Sequence, residues 1–351
     1  MPRRLLTLTA ALALAALGGC SAASVLNAAV SRKNFQVEDA RAYGSAPRQK
    51  LDVYMPTASR TPTSASHGRP IVVFFYGGSW QSGSRDNYLF VGAALASRGF
   101  IAVVPDYRTW PETAFPGFVD DAAVAVRWTR DHAAEFGGDP SRIFLMGHSA
   151  GAHIVTLLAT DGRYLAAQQM SKRDLSGVIG LAGPYDFLPL KDATLEEIFP
   201  PALRAASQPI NFVGGDEPPM FLAAGKQDTT VDPGNTDRFA ARLHAAGDTV
   251  EVKHYPRIGH ALLVGAIAGP LRGFAPVLDD MSAFIDAQAN REAQRDGDAQ
   301  ALPASSGTPG NVYQMRRRAK AQAVPCAAAS SASAVNVGPD CHTKSTVGHN
   351  D

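Results

Sequence analysis

The sequence lacks the features that mark nucleic-acid-binding, metal-binding and membrane-spanning proteins. Its 33 basic and 32 acidic residues leave a net charge of only +1, so composition gives no reason to expect a nucleic acid or an anionic surface as partner. No spacing of His, Cys and Asp suggests a metal site, and no cofactor is expected. The apolar run Leu5–Leu17 is too short to span a bilayer, which takes about 20 residues. With 351 residues, 45% of them hydrophobic, the chain is still long enough for a sizeable core.

The N-terminus indicates export. Arg3 and Arg4 precede the apolar run, which ends in small residues, as a secretory signal does. Residues 17–20 (LGGC) resemble a bacterial lipobox, in which the cysteine, here Cys20, is lipidated and becomes the mature N-terminus. The resemblance implies a protein held to the bacterial envelope by its lipid anchor only, and Ser21 favours the outer membrane, facing the periplasm. The alternative is an ordinary cleaved signal followed by a free cysteine.

Composition divides the chain into a signal, a tether, a folded domain and a disordered tail, at residues 1–19, 20–45, 46–288 and 289–351. The tail has almost no large apolar residue, so it cannot bury enough surface to offset the entropy of ordering. It carries Cys326 and Cys341, which either form a disulfide in the oxidising envelope or stay unpaired.

The folded domain alternates apolar runs with segments of helical periodicity. Continuous apolar runs are typical of strands buried on both faces, and they occur at residues 71–76, 101–104, 143–146, 178–181 and 220–224. An antiparallel edge strand is predicted at Leu51–Tyr54, and another strand near an edge at Val250–Tyr255. Helices are predicted at residues 88–98, 119–136 and 237–246, each stopped by glycine. The pattern predicts an α/β fold, a mostly parallel sheet with helices on both faces.

Residues 187–219 are less regular than the rest of the domain. They contain several prolines and a Gly-Gly pair, and they lie between two predicted strands. Two interpretations stay open for this segment: a small cap inserted over a site, or a plain connecting loop.

The strongest chemical signal is Gly147–Gly151, with sequence GHSAG. It follows an apolar strand-like run and precedes a stretch compatible with a helix. In that context the pattern is a nucleophile elbow, which places the serine, here Ser149, on a tight turn above the sheet. The alternative is a glycine-rich turn with an inert serine.

A second signal, Tyr76–Trp80 (YGGSW), directly follows the first long strand. Acyl transfer needs N–H donors aimed at the oxyanion, and a glycine pair at the end of a strand lets backbone amides turn into a site. The amides of Gly78, Ser79 and Ala150 are the candidate donors. A structural β-turn is the alternative.

A serine hydroxyl needs a base, and the base needs a carboxylate to orient it. His260 follows Gly259 in a polar segment after a predicted strand, where its ring can reach over the sheet. Asp228 follows the strand at 220–224, at the carboxyl edge of the sheet; Asp232 is its rival. The competing histidines lie inside the elbow, in helices or in a strand: His148, His153, His244, His132 and His254.

Residues 51–285 resemble the carboxylesterase branch of the α/β-hydrolase superfamily, near its hormone-sensitive-lipase-like and feruloyl-esterase-like members. The resemblance rests on the segments 51–54, 76–80, 105–108, 137–140, 147–151 and 183–186, with Asp228 and Gly259–His260. It implies the α/β-hydrolase fold and gives Asp106 and Asp186 structural roles. The family usually has His in place of Tyr76, and often Gly in place of Ser79, which puts the shape of the loop in doubt.

Hydrolysis of small-to-medium acyl esters by Ser149, His260 and Asp228 is the leading interpretation. Aryl-formamide hydrolysis by the same fold, or a non-catalytic binding protein of the envelope, are the alternatives. The expected partner is a small-molecule ester; neither its identity nor the oligomeric state follows from the sequence.

Overall fold

The computed structural model describes residues 22–57 and 68–301, with side chains described as far as residue 294. An eight-stranded sheet forms its centre, in the order β1-β2-β4-β3-β5-β6-β7-β8. β2 pairs antiparallel with β1 and β4, and every other pair is parallel. The strands, β1 to β8, are Phe35–Ala42, Lys50–Pro56, Arg69–Phe75, Ile101–Pro105, Gly138–His148, Gly177–Leu181, Met220–Gly225 and Val250–Tyr255. This is the mostly parallel sheet that the sequence predicts.

Helices connect the strands. In the described part of the chain, α1 to α9 are Ala22–Ala28, Leu89–Ser97, Gly117–His132, Ala150–Thr160, Gly162–Ala167, Ala193–Ile198, Gly234–Ala246, His260–Gly265 and Val277–Ala301. Gly247 ends α7 in the left-handed conformation, with φ of 92°, as its position after the periodic run predicts.

The core lies on both sides of the sheet. β4, β6 and β7 are buried at every position, which explains why their sequences are continuous apolar runs rather than alternating ones. Phe284 of α9 packs on Phe221 of β7, with ring centroids 5.9 Å apart. β8 at the sheet edge is only half-buried, as its alternating sequence indicates.

The predicted tether contains a helix and a strand of the folded domain, α1 and β1, which corrects that expectation. β1 pairs with β2 from Phe35 to Ala42, so β2 is not the edge strand that was expected. α1 is also attached to the domain, since the Asn27 side chain donates to the backbone O of Asp86 and accepts from the Phe90 amide. The physical reason is that β1 has one neighbour and an exposed side, so its sequence is mostly polar and gives no apolar signal.

The C-terminal boundary also differs from the prediction. α9 continues from Val277 to Ala301, beyond residue 288, and Ala289 is buried. Ser176 donates to the carboxylate of Glu292 at 3.0 Å. The signal segment with Cys20, and most of the predicted tail with Cys326 and Cys341, lie outside the described residues.

The irregular segment at residues 187–219 contains α6 and three short 3₁₀ turns. It packs against α4, where the His153 ring bonds to the backbone O of Ser207 at 2.7 Å. Within the described ranges, no helix is both long enough and apolar enough to cross a bilayer.

Candidate active site

Ser149 sits on a strained turn between β5 and α4. Its φ of 56° and ψ of −121° fall in a region that non-glycine residues rarely occupy. The chains cross closely on both sides of it. A Cβ on Gly147 would lie 2.2 Å from the backbone O of Gly151, and one on Gly151 would lie 2.0 Å from the backbone O of Phe75. Only glycine fits either position, which is the physical basis of the GHSAG pattern.

Ser149, His260 and Asp228 form one hydrogen-bonded chain. The Ser149 Oγ lies 2.8 Å from His260 Nε2, and His260 Nδ1 lies 2.7 Å from Asp228 Oδ2. Because a carboxylate accepts, Nδ1 carries the proton and Nε2 is left to accept the Ser149 proton. The three residues come from the ends of three different strands, and they have the geometry of a nucleophile, a base and an orienting acid.

Asp228 is held by its own turn after β7. Its Oδ1 accepts from the amides of Thr230 and Val231, both at 2.9 Å, which leaves Oδ2 for His260. The Asp228 side chain is 1% exposed, whereas that of His260 is 15% exposed. The Asp228 carboxylate is thus enclosed, and the His260 ring keeps an open side towards solvent.

His148, inside the elbow, packs against His260. Its ring centroid is 4.8 Å from that of His260, and its Nε2 lies 3.1 Å from the His260 backbone O. A carbonyl only accepts, so Nε2 of His148 carries the proton. Burial, together with the neighbouring His260, lowers the pKa of His148 to about 3. His148 is therefore neutral at physiological pH and places no charge beside His260.

The loop after β3 has an uncommon backbone. Gly78, Ser79 and Trp80 all have positive φ, at 135°, 53° and 59°. A Cβ on Gly78 would lie 2.2 Å from the backbone O of Ser82. Within the described residues, the amides of Gly78, Ser79 and Ala150 donate no hydrogen bond to the protein. These three amides therefore stay the candidate donors to an oxyanion.

Asp106 fixes both ends of this loop. It accepts from the Tyr76 hydroxyl at 2.6 Å and from the Arg85 amide at 2.7 Å, both on Oδ1. Arg48 donates to the Tyr76 hydroxyl and to the backbone O of Gly83. Tyr76 stands where the family that the sequence resembles usually has His. Its hydroxyl fixes the start of the loop through its hydrogen bonds to Asp106 and Arg48.

The rival residues lie elsewhere. Asp232 is exposed and pairs with Arg238, which also binds Asp186 at 2.6 Å. His254 bonds to Asp237, and His132 stacks on Trp128. Neither histidine contacts Ser149. Among the described residues, no group of three or more His, Cys, Asp or Glu is arranged to hold a metal ion.

Sequence reasoning missed one arrangement beside the site. The Trp80 indole Nε1 donates to His153 Nδ1 at 3.2 Å, and both side chains are buried. The two residues are 73 positions apart, and the signal in the sequence was a tryptophan two residues after the glycine pair.

Comparison with known proteins places the chain in a family. Residues 51–243, more than half of the chain, match the BD-FAE family model. The chain belongs to the BD-FAE family.

Relatives and solved structures of this family's fold are numerous. The chain is 30% identical over 285 residues to isoprenylcysteine alpha-carbonyl methylesterase from Arabidopsis thaliana, covering 74% of this chain and 65% of that protein. It is 31% identical over 252 residues to esterase LipC from Mycobacterium tuberculosis, covering 65% of this chain and 61% of that protein. The chain thus spans slightly less than two thirds of either relative.

Among solved structures, a propionate-bound thermophilic esterase from Thermogutta terrifontis superimposes with a TM-score of 0.59. It is 26% identical and covers 73% of this chain and 94% of that one. The sequence resemblance implied the α/β-hydrolase fold. The mostly parallel sheet establishes this fold, together with the elbow between β5 and α4 and the likeness to this solved esterase.

Proposed function

We propose that the protein is a serine carboxylesterase that hydrolyses small-to-medium acyl esters. The observation that carries the proposal is the hydrogen-bonded chain from Ser149 through His260 to Asp228, at 2.8 and 2.7 Å. The family membership and the esterases among its relatives agree with this chemistry.

The first half of the reaction forms an acyl-enzyme. The Ser149 Oγ attacks the ester carbonyl carbon while His260 Nε2 takes its proton. Asp228 keeps the imidazole in the required tautomer and stabilises the imidazolium that forms. The amides of Gly78, Ser79 and Ala150 donate to the oxyanion. When the tetrahedral intermediate collapses, the bond to the alcohol oxygen breaks and His260 gives its proton to that oxygen.

The second half returns the free enzyme. Water enters on the open side of His260, which takes one of its protons as the water oxygen attacks the acyl carbon. The intermediate then collapses, the bond to the Ser149 Oγ breaks, and that oxygen recovers the proton from His260. The carboxylic acid leaves, and the sum of the two halves is ester plus water giving acid plus alcohol.

A p-nitrophenyl ester series from acetate to palmitate tests this function. We expect the purified protein to hydrolyse the shorter esters and the Ser149→Ala variant to have lost this activity by at least about 10³-fold. An aryl formamide assayed in parallel compares the same protein on an amide bond. A folded protein that is inactive on every ester, or active without Ser149, contradicts the proposal.

We also propose that the protein is attached to the bacterial envelope through a lipid on Cys20, facing the periplasm from the outer membrane. The motif at residues 17–20 supports this, and α1 begins only two residues later, at Ala22. A lipid there would hold the folded body close to the bilayer.

Incorporation of labelled palmitate in a bacterial host tests the lipid attachment: we expect label in the natural chain and none in a Cys20→Ala variant. Equal labelling of both contradicts it.

A further inference from the structure

His153 joins the candidate oxyanion loop to the irregular segment at residues 187–219. Its Nδ1 accepts from Trp80 Nε1 at 3.2 Å, and its Nε2 donates to the backbone O of Ser207 at 2.7 Å. An indole N–H only donates and a carbonyl only accepts, so these two partners fix a neutral imidazole with its proton on Nε2.

The pair is enclosed by aromatic rings. Trp80 meets Phe199 edge-to-face at 4.8 Å and stacks on Phe187 at 5.7 Å, while His153 meets both rings edge-on. His153 is fully buried, and burial lowers its pKa to about 4. The indole is therefore held by a hydrogen bond to His153 and by contacts with the rings of Phe187 and Phe199.

The backbone beside this pair is strained. Ser79 and Trp80 are consecutive non-glycine residues in the left-handed region, which side chains with a Cβ rarely adopt. Such a conformation persists only where the surroundings over-determine it. The Trp80 indole is bonded to His153, and the Trp80 backbone O accepts from the Trp110 amide at 2.8 Å. The side chain and the backbone of Trp80 are thus each held by a hydrogen bond.

The same helix carries the nucleophile. His153 lies one turn after Ser149 in α4, and its amide donates to the Ser149 backbone O at 3.1 Å. The hydrogen bond between His153 and Trp80 therefore connects two parts of the site. One is the loop that carries the candidate oxyanion amides, and the other is α4, which begins directly after Ser149.

We propose that His153 is a positioning residue that holds Trp80, and through it the Gly78 and Ser79 amides, in register with Ser149. This role rests on the proposed ester hydrolysis. The bond holds the donors where the oxyanion develops, so its loss weakens binding of the transition state more than that of the substrate.

A double-mutant cycle between Trp80 and His153 tests the role. Trp80→Phe removes the indole N–H and keeps a ring, and His153→Leu removes the acceptor. We expect each to lower kcat on p-nitrophenyl acetate by about 10- to 100-fold with KM changed less than about twofold. The double variant should be no slower than the slower single variant. The affinity of phenylboronic acid, which forms a tetrahedral adduct with serine, should fall by the same factor as kcat.

Two further variants separate positioning from general damage. His153→Gln offers one acceptor and one donor, and we expect it to recover most of the kcat lost in His153→Leu. His244 is exposed, and His244→Leu is the matched control, whose kcat and KM should equal those of the wild type. If His153→Leu does not fold, the cycle is run with Trp80→Phe and His153→Phe, which also removes the acceptor and keeps a ring.

Independent effects, with the double variant slowed by the product of the single factors, would overturn the positioning role. So would an unchanged kcat in His153→Leu, or a rise in KM alone. A wild type inactive on esters would instead overturn the proposed function itself, which the assay of the unaltered protein and its Ser149→Ala variant establishes first.

Discussion

Gly77 and Ser149 are in such close contact that a Cβ on Gly77 would stand 2.8 Å from the Ser149 Cβ. It would also lie 3.1 Å from the backbone O of His148. The first loop residue after Tyr76 must therefore lack a side chain if the candidate nucleophile is to keep its position.

This contact predicts that Gly77→Ala displaces Ser149 or the loop. A displacement of about 1 Å can cost about 100-fold in rate, so we expect kcat on p-nitrophenyl acetate to fall by about that factor. Gly162→Ala is the matched control, because a Cβ there meets nothing within 4 Å. Equal activity of the two variants contradicts the prediction.

Asp228→Asn should abolish most activity while the fold is kept. An amide at this position no longer stabilises the imidazolium and favours the wrong tautomer of His260, an effect of about 10⁴-fold in kcat in triads of this kind. Asp232→Asn, four residues further along and exposed, should be close to wild type. Steady-state kinetics of the two variants checks this, and a larger loss in Asp232→Asn would transfer the role to the rival.

Tyr76→Phe should destabilise the protein by about 1–2 kcal/mol, because a buried hydroxyl that donates to Asp106 and accepts from Arg48 is lost. Urea unfolding measures the change in the free energy of unfolding. Tyr88 stacks on Tyr76 at 5.4 Å, and its hydroxyl makes no hydrogen bond within the described residues. Tyr88→Phe is therefore the control, expected within about 0.5 kcal/mol of wild type. Equal losses in both would mean that the Asp106 anchor contributes nothing.

The two buried histidines should make the protein sensitive to acid. Burial lowers the pKa of His148 to about 3 and that of His153 to about 4, against about 6.5 in the unfolded chain. Between pH 6.5 and 4 these two histidines are protonated in the unfolded chain but stay neutral in the folded protein. The free energy of unfolding therefore falls as the pH falls. Each histidine contributes about 1.4 kcal/mol per pH unit.

Free energies of unfolding measured between pH 6.5 and 4 check whether stability falls with pH and whether the histidines cause the fall. His153→Gln should reduce the slope by the contribution of one histidine, whereas Tyr88→Phe, which removes no group that titrates between pH 4 and 6.5, should leave the slope unchanged. A slope that His153→Gln does not alter would mean that His153 takes up a proton equally in both states.

The elbow and the parallel sheet could be predicted because each imposes a local requirement on sequence. Ser149 needs glycine on both sides, and strands covered on both faces need continuous apolar runs. β1 gave no such signal, since an edge strand with an exposed side tolerates polar residues such as those of Phe35–Ala42. The bond between Trp80 and His153 depends on tertiary packing between distant residues, which no spacing in the sequence records.

Reaction with a fluorophosphonate probe, followed by peptide mapping, examines the nucleophile directly. Only a hydroxyl activated by a base reacts readily with such a probe. We predict one label per chain, on the peptide that contains Ser149, with esterase activity lost in proportion to labelling and no label in Ser149→Ala. Label on another residue, or full esterase activity in the completely labelled protein, would contradict the assignment of Ser149 as the nucleophile.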